Sequence, residues 1–442
     1  MNDLGKSSSS KTHCFKLLLP ASLLALAIST FTCNESFAQV DFDTAVSLYI
    51  ESQVETSNAD IQIESAKDAS FAAKQNFLPT IHGSASIAKE SIKDQNAEQL
   101  AATGSLNLFR FGADKANLNF ANASLESALQ KKETNRASKS WVATKTLLQY
   151  LHAIQNQRVI NNYLAIKNRS LSLTQKLYQN GTKPAQDVEK ISLDLLAEES
   201  RAQEANLDLK KRDGELKIYL KSQQIADVWP WIKLVQNLSK DTQSSWKERF
   251  NDDLKSALDP ELKLLSLQLT ELESKKTIAR TSLFPTVDLE ATHQWNKNST
   301  DKIWERYWLA ELKIRIPIFQ GGTNYYQIHE TERNVQKIQI AKADLEKRSN
   351  QLKLIAIEEL ETSVKNYQIK TTLTQRSQKL FEQSLSAYGR GLLSVNDLLT
   401  DQSRVIQAER EELGGILNSH LALLQYCEAK GQNTTDCILS IK

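Results

Sequence analysis

Two long stretches of this chain contain neither glycine nor proline. One covers the 68 residues between Gly112 and Gly181, and the other covers the 66 residues between Gly322 and Gly389. Because the residues that break helices are missing, each stretch is predicted to be one helix, roughly 100 Å long at about 1.5 Å per residue. A helix of that length cannot fold back into an ordinary compact domain.

Charge of one sign, long apolar runs and enzymatic motifs are also missing. After residue 38 the chain has 52 basic and 51 acidic side chains, so nucleic acid is not an expected partner. No apolar run reaches the roughly 20 residues of a membrane-spanning helix, so entry into a membrane would require β-strands. We find no P-loop, dinucleotide fingerprint or nucleophile elbow, and expect neither an enzyme nor a cofactor or metal site. The histidines after residue 38 lack metal-ligand spacing and are interpreted as surface or lumen residues: His82, His152, His293, His329 and His420.

Cysteine is rare, and its positions bear on both ends of the chain. Residues 1–38 have the basic start, short apolar core and small residues at Ser36 and Ala38 of a secretory signal peptide. Cys33 makes lipid attachment an alternative, although its preceding residues are a poor context for it. Cys427 and Cys437 either close a small loop in an oxidising compartment or remain two thiols in the C-terminal tail.

The sequence is a tandem repeat. Equivalent residues are separated by 210 positions, which indicates one large duplicated unit. Matching residues are Phe109 and Phe319, Gly112 and Gly322, Tyr178 and Tyr388, Gly181 and Gly391, and Asp187 and Asp397. The predicted first repeat is 39–240, with a starting helix, a hairpin at about 80–110, long helices at about 113–180 and 182–222, and an irregular segment. The predicted second repeat is 241–442, with a helix at 254–282, a hairpin at about 286–319, long helices at about 323–388 and 392–428, and a short tail.

Both predicted hairpins alternate apolar and polar residues with a period of two. In the second hairpin the apolar face runs from Trp308 to Ile318, and Glu311, Lys313 and Arg315 occupy the other face. A soluble, half-buried hairpin would show the same alternation. The strands have about the 9 to 11 residues of a tilted transmembrane strand, and aromatic residues flank the polar loop as at a membrane interface. Four strands cannot close a barrel, because at least about eight are needed, so several copies must share one.

The second long helix carries a predicted coiled-coil seam. Apolar residues recur there at alternating steps of three and four, although polar residues such as Glu359 and Arg376 interrupt the pattern. A filamentous coiled-coil rod is the alternative for these helices, but it would not need the hairpins. The apolar members are Ile338, Ala341, Leu345, Leu352, Ile355, Ile369, Leu373 and Leu380.

The whole chain after residue 38 resembles the TolC family of outer-membrane efflux and secretion channels. The resemblance rests on the two repeats, the Pro-Thr start of each hairpin, the Phe-x-x-Gly after it, and the Tyr-x-x-Gly turn with Asp six residues beyond. It implies a mostly α fold: a long α-helical coiled-coil barrel joined to a transmembrane β-barrel to which each chain of a homotrimer contributes four strands. It also implies a passive exit duct in the outer membrane of a Gram-negative bacterium, with a long periplasmic portion.

The resemblance implies partners and sites as well. The partners would be outer-membrane lipid, a periplasmic adaptor, and an inner-membrane ABC or proton-driven transporter exporting drugs, metals or proteins by a tripartite pump or type I secretion. The gate candidates are Asp187, Tyr388, Asp397 and Asp401, and the adaptor-docking candidates are Tyr178, Gly181, Gly389 and Gly391. Glu311, Lys313 and Arg315 would face the lumen. Leu393 and Thr400 depart from the polar residues that some members have at the gate.

Two alternatives stand beside this interpretation. The two acids, Asp187 and Asp397, could simply cap helices, because Asp is common near helix starts. The protein could also be a periplasmic adaptor or a coiled-coil protein without a pore, which would extract without detergent.

Overall fold

The computed structural model describes residues 39–52, 55–90, 95–220, 224–225, 228–241, 245–257, 259–297 and 303–441. The signal-peptide prediction and Cys33 lie outside these residues. The first repeat contains β1 (Gln39–Val40), α1 (Phe42–Glu51), α2 (Glu55–Gln75), β2 (Thr80–Glu90), β3 (Gln95–Phe109), α3 (Ala113–Gln179), α4 (Ala185–Leu220), β4 (Gln224–Ile225) and α5 (Ile232–Lys240). The second repeat contains α6 (Ser245–Ser256), α7 (Pro260–Thr281), β5 (Thr286–Lys297), β6 (Trp304–Arg315), α8 (Thr323–Gly389), α9 (Val395–Lys430) and α10 (Thr434–Ile441).

The long helices repeat in length as well as in sequence. Helices α3 and α8 each have 67 residues, and α4 and α9 each have 36. Both pairs begin 210 positions apart. The duplication therefore preserved the length of every long helix.

Two elements of the second repeat differ from the sequence prediction. The helix expected at 254–282 is divided, because Pro260 lacks an amide hydrogen and starts a new helix with the Asp259 carboxylate accepting from the Glu261 amide at 2.9 Å. The second hairpin, expected to reach 319, ends at Arg315. Pro317 follows, and proline cannot donate a ladder hydrogen bond.

The four longer strands form one antiparallel sheet in the order β2-β3-β5-β6. The central pair, β3 with β5, joins the two repeats, while β1 and β4 form a separate two-stranded parallel sheet. Strands β2 and β6 are the edges of the four-stranded sheet. None of the helices in the described part of the chain combines the length and the hydrophobicity needed to cross a bilayer.

The predicted seam of α8 does not face its neighbour in the same chain. Helix α8 packs along α9, and the buried residues at that contact include Leu360, Val364 and Phe381. Within the predicted seam, Leu352 and Ile369 remain 60% and 64% exposed. Helix α8 therefore has two apolar stripes, and Leu352 and Ile369 of the second stripe remain mostly exposed in the described part of the chain.

A core near the C-terminus contains both cysteines. The structure joins Cys427 of α9 to Cys437 of α10 by a disulfide with Cα atoms 5.6 Å apart. Trp246, Phe250 and Tyr426 pack in the same cluster. The disulfide therefore fastens the C-terminal helix to a core built mainly by α6, α8 and α9.

The interpretation of His420 as a surface or lumen residue is wrong. Its side chain is fully buried and its ring stacks on Trp231 and lies 5.2 Å from the ring centroid of Trp229. Nδ1 lies 2.8 Å from the carbonyl oxygen of Ile416, and Nε2 contacts that of Pro230. Burial lowers the pKa of His420, although the two carbonyl contacts act in the opposite direction.

We expect His420 to make folding stability depend on pH. Its pKa in the fold lies below the ordinary value of about 6.5, so the unfolded chain takes up a proton first as the pH falls. Stability should therefore be lost below about pH 6.5, by at most about 1.4 kcal/mol per pH unit. His420→Gln should weaken this dependence in thermal unfolding followed by circular dichroism. His82→Gln, at an exposed site, is the control, and parallel curves for parent and His420→Gln would contradict the assignment.

Candidate functional site

The turns that join the long helices have the same geometry in both repeats. In the first turn the Gly181 and Thr182 amides donate to the carbonyls of Tyr178 and Leu177, each at 2.9 Å. In the second turn Gly391 and Leu392 make the equivalent bonds to Tyr388 and Ala387 at 2.9 and 3.0 Å. Both glycines have left-handed φ angles, +72° and +77°, which other residues adopt only with strain. This is the physical reason for a glycine at each turn.

Lys183 connects the two turns across the repeats. Its ammonium donates to the carbonyl oxygen of Leu393 at 2.8 Å and lies 4.7 Å from the centre of the Tyr388 ring. Leu393 is the residue equivalent to Lys183 at the 210-residue offset. The ammonium group of Lys183 in the first repeat therefore binds a backbone carbonyl oxygen and the face of an aromatic ring in the second repeat. We call this region, residues 174–190 and 384–401, the paired tip.

Tyr388 and Asp187 are both buried in the paired tip. The Tyr388 side chain has no exposed surface, and its hydroxyl lies 3.1 Å from the hydroxyl of Thr174 on α3. Burial raises the pKa of Tyr388, the Thr174 hydrogen bond lowers it, and the negative charge of Asp187 raises it. Asp187 therefore acts electrostatically on this phenol, whose hydrogen-bonding partner is Thr174.

Asp397 participates in the start of α9. The Ser394 hydroxyl accepts from the Asp397 amide at 3.2 Å and donates to the Asp397 carboxylate at 2.6 Å. This reciprocal pair is a helix-capping arrangement. The Asp397 side chain nevertheless remains exposed, so the same carboxylate can orient the capping hydroxyl of Ser394 and present its charge to solvent.

The remaining tip candidates differ in exposure. Asp401 is mostly buried: its two oxygens accept from Ser384 at 2.5 Å and Arg404 at 2.8 Å. Tyr178, the equivalent of Tyr388, is 49% exposed. Gly389 is the last residue of α8, and a side chain there would meet Leu173 at 4.0 Å. Tyr178 is therefore available to a partner, whereas Asp401 is already engaged.

The charged residues of the second hairpin share one face. Lys313 lies opposite Asp288, Glu311 opposite Glu290, and Arg315 opposite Thr286. The Lys313 ammonium contacts the carboxylates of Glu290 and, at 2.8 Å, Glu311. The alternate face pairs Ile314 with Val287, Leu312 with Leu289, and Ala310 with Ala291. The hairpin therefore has one charged face, which carries both acidic and basic residues, and one apolar face.

A buried charge network behind the tip was not predicted. Glu198 of α4 is fully buried, and its carboxylate accepts from Arg201 at 3.0 Å and from Arg410 of α9 at 3.1 Å. Lys167 of α3, 2% exposed, lies 4.0 Å from Glu198 and 2.5 Å from Asp194. The sequence signal is an acid in the apolar row formed by Ile191, Leu195, Glu198, Ala202 and Ala205. We call these five charged residues, Lys167, Asp194, Glu198, Arg201 and Arg410, the Glu198 network.

Comparison with known proteins gives a match to a family model and several similar folds. Residues 255–424, from the end of α6 to near the end of α9, match the family model described as Outer membrane efflux protein. No curated protein matches the chain by sequence.

Several solved structures share the fold along nearly the whole chain. The CmeC outer membrane channel of Campylobacter jejuni is 16% identical with a TM-score of 0.74, covering 90% of this chain and 89% of that one. VceC, an outer membrane protein of Vibrio cholerae, is 13% identical with a TM-score of 0.75, covering 89% and 96%. The open state of the MtrE outer membrane channel of Neisseria gonorrhoeae is 14% identical with a TM-score of 0.69, covering 88% and 89%.

Proposed function

We propose that this chain is the outer-membrane exit duct of an export system, because residues 255–424 match the family model described as Outer membrane efflux protein. The observation that carries this proposal is the four-stranded sheet with an apolar face and two open edges. Open strand edges are not tolerated in lipid, so the sheet must be completed by other copies. Three copies would supply twelve strands, above the minimum of about eight.

The helical surface also supports assembly from several chains. Helix α8 has an apolar stripe on which Leu352, Ile369 and Leu373 are 60%, 64% and 43% exposed. Helix α4 has another, with Leu193 and Leu207 at 58% and 55%. Exposed apolar stripes at coiled-coil spacing fit neighbouring helices. We propose that these stripes pack between protomers of the homotrimer, so that the helices surround a duct in the periplasm.

We propose that the paired tip is the periplasmic entrance and that it is closed at rest. The hydrogen bond between Tyr388 and Thr174 would hold the two repeats together there beside the charge of Asp187, and Asp397 would line the opening with negative charge. A periplasmic adaptor would dock on the exposed side of the tip, including Tyr178 and the glycine turns. The adaptor would recruit an inner-membrane ABC or proton-driven transporter, and substrates would pass through without a chemical step in this chain.

Recording from planar bilayers tests both the duct and its entrance. The protein should extract only with detergent, form a three-chain species on chemical cross-linking, and conduct ions after reconstitution. The double variant Asp187→Ala, Tyr388→Phe removes the Thr174–Tyr388 hydrogen bond and the nearby charge, and it should conduct more than the parent. The rise in the open fraction should be about tenfold for each 1.4 kcal/mol of closure lost. A single chain that extracts without detergent would contradict the exit-duct proposal. Unchanged conductance of the double variant would contradict the proposal that the entrance is closed at rest.

Asp397→Asn separates the charge of Asp397 from its capping role. The amide oxygen can still accept from the Ser394 hydroxyl, so α9 should start normally. Preference for cations and block by multivalent cations should nevertheless decrease if the carboxylate lines the opening. Unchanged selectivity would leave Asp397 with the capping role alone.

A further inference from the structure

We infer that neighbouring protomers are joined by β6 of one chain and β2 of the next in a defined register, with Lys313 opposite Ser86 and Ile314 opposite Ala85. This inference rests on the proposed trimer and adds which residues pair at the joint. The joining surface consists of the two open edges of the sheet. The partner is a second copy of this chain.

The two hairpins correspond residue by residue. The first strands, β2 and β5, both follow a Pro-Thr start and are offset by 206 positions, from Thr80 to Thr286. The second strands, β3 and β6, are offset by 210 positions, from Ser105 to Arg315. The pairing confirms both offsets together, because Thr80 lies opposite Ser105 and Thr286 lies opposite Arg315.

The joint between the repeats supplies the pattern for the joint between chains. Within the chain, the second strand of repeat one pairs with the first strand of repeat two, with Thr103 opposite Thr292 and Gly104 opposite Ala291. In a closed ring of repeated hairpins, joints within a chain alternate with joints between chains. In a joint between chains, β6 takes the place of β3, and β2 of the next chain takes the place of β5. Applying the two offsets converts Thr103 and Thr292 into Lys313 and Ser86, and Gly104 and Ala291 into Ile314 and Ala85.

The chemistry of the two edges fits this register. The apolar face would continue through the pairs Ile314 with Ala85 and Leu312 with Ile87, while Lys313 and Arg315 would oppose Ser86 and Ser84. Ile87 and Ile314 are 82% and 61% exposed in the single chain, as expected for residues at an uncovered edge and lipid face. A slip of one residue would oppose apolar and polar faces. A slip of two residues would still place apolar residues opposite apolar residues. The inferred register is distinguished from that slip by the two sequence offsets.

Pro317 agrees with the inferred register. It corresponds to Asn107, the last residue of β3 before the irregularity at Asn107/Phe109 in the pairing with β5. Since proline has no amide hydrogen, the interchain ladder should stop where the internal ladder becomes irregular. The end of β6 at Arg315 is consistent with this limit.

Disulfide trapping in the full chain tests the register. Within the chain the hydroxyls of Thr103 and Thr292 are 3.1 Å apart, so Thr103→Cys with Thr292→Cys calibrates oxidation at an equivalent position. Lys313→Cys with Ser86→Cys should then give covalently linked three-chain species in membranes, several-fold more than either slipped pair. The slipped pairs are Lys313→Cys with Ser84→Cys and Arg315→Cys with Ser86→Cys. A disulfide requires Cα atoms within about 7 Å, so register differences of two residues should be distinguished.

The outcomes separate the register from the function. Stronger trapping in a slipped pair, or no trapping in a chain that still forms three-chain species with an amine cross-linker, would overturn the register and leave the duct in place. Absence of three-chain species in the parent protein would overturn the proposed function itself. Arg315→Cys with Ser84→Cys is a second in-register pair and should trap if the first variant fails to assemble. Lys313→Cys alone should give no three-chain covalent species.

Discussion

Replacing Glu198 by alanine should destabilise the helical part of the protein by about 3–5 kcal/mol, the usual cost of removing one partner from a buried ion pair. The Glu198 carboxylate is fully buried and receives both Arg201 and Arg410. Without it, Lys167, Arg201 and Arg410 would lose their shared carboxylate, while Lys167 would keep its contact with Asp194. The loss should appear as a lower melting temperature in circular dichroism of the detergent-solubilised protein.

Glu199→Ala is the matched control, because Glu199 is the next residue of α4 and is exposed. Substitutions at exposed sites usually change stability by less than about 0.5 kcal/mol. Arg410→Ala, alone and combined with Glu198→Ala, measures how much of the effect belongs to the contact between the repeats. Equal melting temperatures for Glu198→Ala and Glu199→Ala would show that the Glu198 network does not stabilise the fold.

Replacing Ile314 by arginine should prevent assembly in the membrane. Ile314 is 61% exposed and lies on the apolar face of the second hairpin, opposite Val287. If that face contacts lipid, an arginine costs about 2–4 kcal/mol near the bilayer midplane, and a trimer contains three copies. The expected result is a loss of three-chain species in outer-membrane extracts, measured by chemical cross-linking and blotting.

Lys313→Gln is the control on the neighbouring position and opposite face. Assembly should be retained, since a polar side chain on the lumen face loses no lipid contact, and the change should appear in ion selectivity. The remaining carboxylates of Glu290 and Glu311 should increase the preference for cations. If Ile314→Arg assembles normally while Lys313→Gln does not, the two faces have been assigned the wrong way round.

The helical framework could be predicted from the sequence because its signals are local and repeated. Missing glycine and proline determine where α3 and α8 run, and Gly181 and Gly391 determine where they turn. The hairpin alternation similarly separated Lys313 from Ile314. The end of β6 was harder, because the apolar alternation continues past Pro317, whose missing amide hydrogen overrides the pattern.

What sequence reasoning missed depends on which helix faces are covered. Two apolar stripes on α8 both have heptad spacing. The spacing alone therefore does not predict that Leu360 and Phe381 face α9 while Leu352 and Ile369 do not. The burial of His420 depends on Trp229 and Trp231, which come from the distant segment between the repeats. Glu198 was overlooked because an acid in an apolar row has meaning only once Arg410, 212 positions away, is known to reach it.

The unequal offsets of 206 and 210 have an evolutionary consequence. Of the four extra residues of the second copy, two lengthen the strand ends of the hairpin and two lie between the strands, since six residues separate β5 from β6 and four separate β2 from β3, whereas the long helices kept identical lengths. Lengthening a flexible loop costs little entropy, but one inserted residue in α3 or α8 would rotate everything after it by about 100° and move both apolar stripes off their partners. Natural drift in length, and an engineered epitope tag, should therefore be accepted at the hairpin turns and rejected in the long helices.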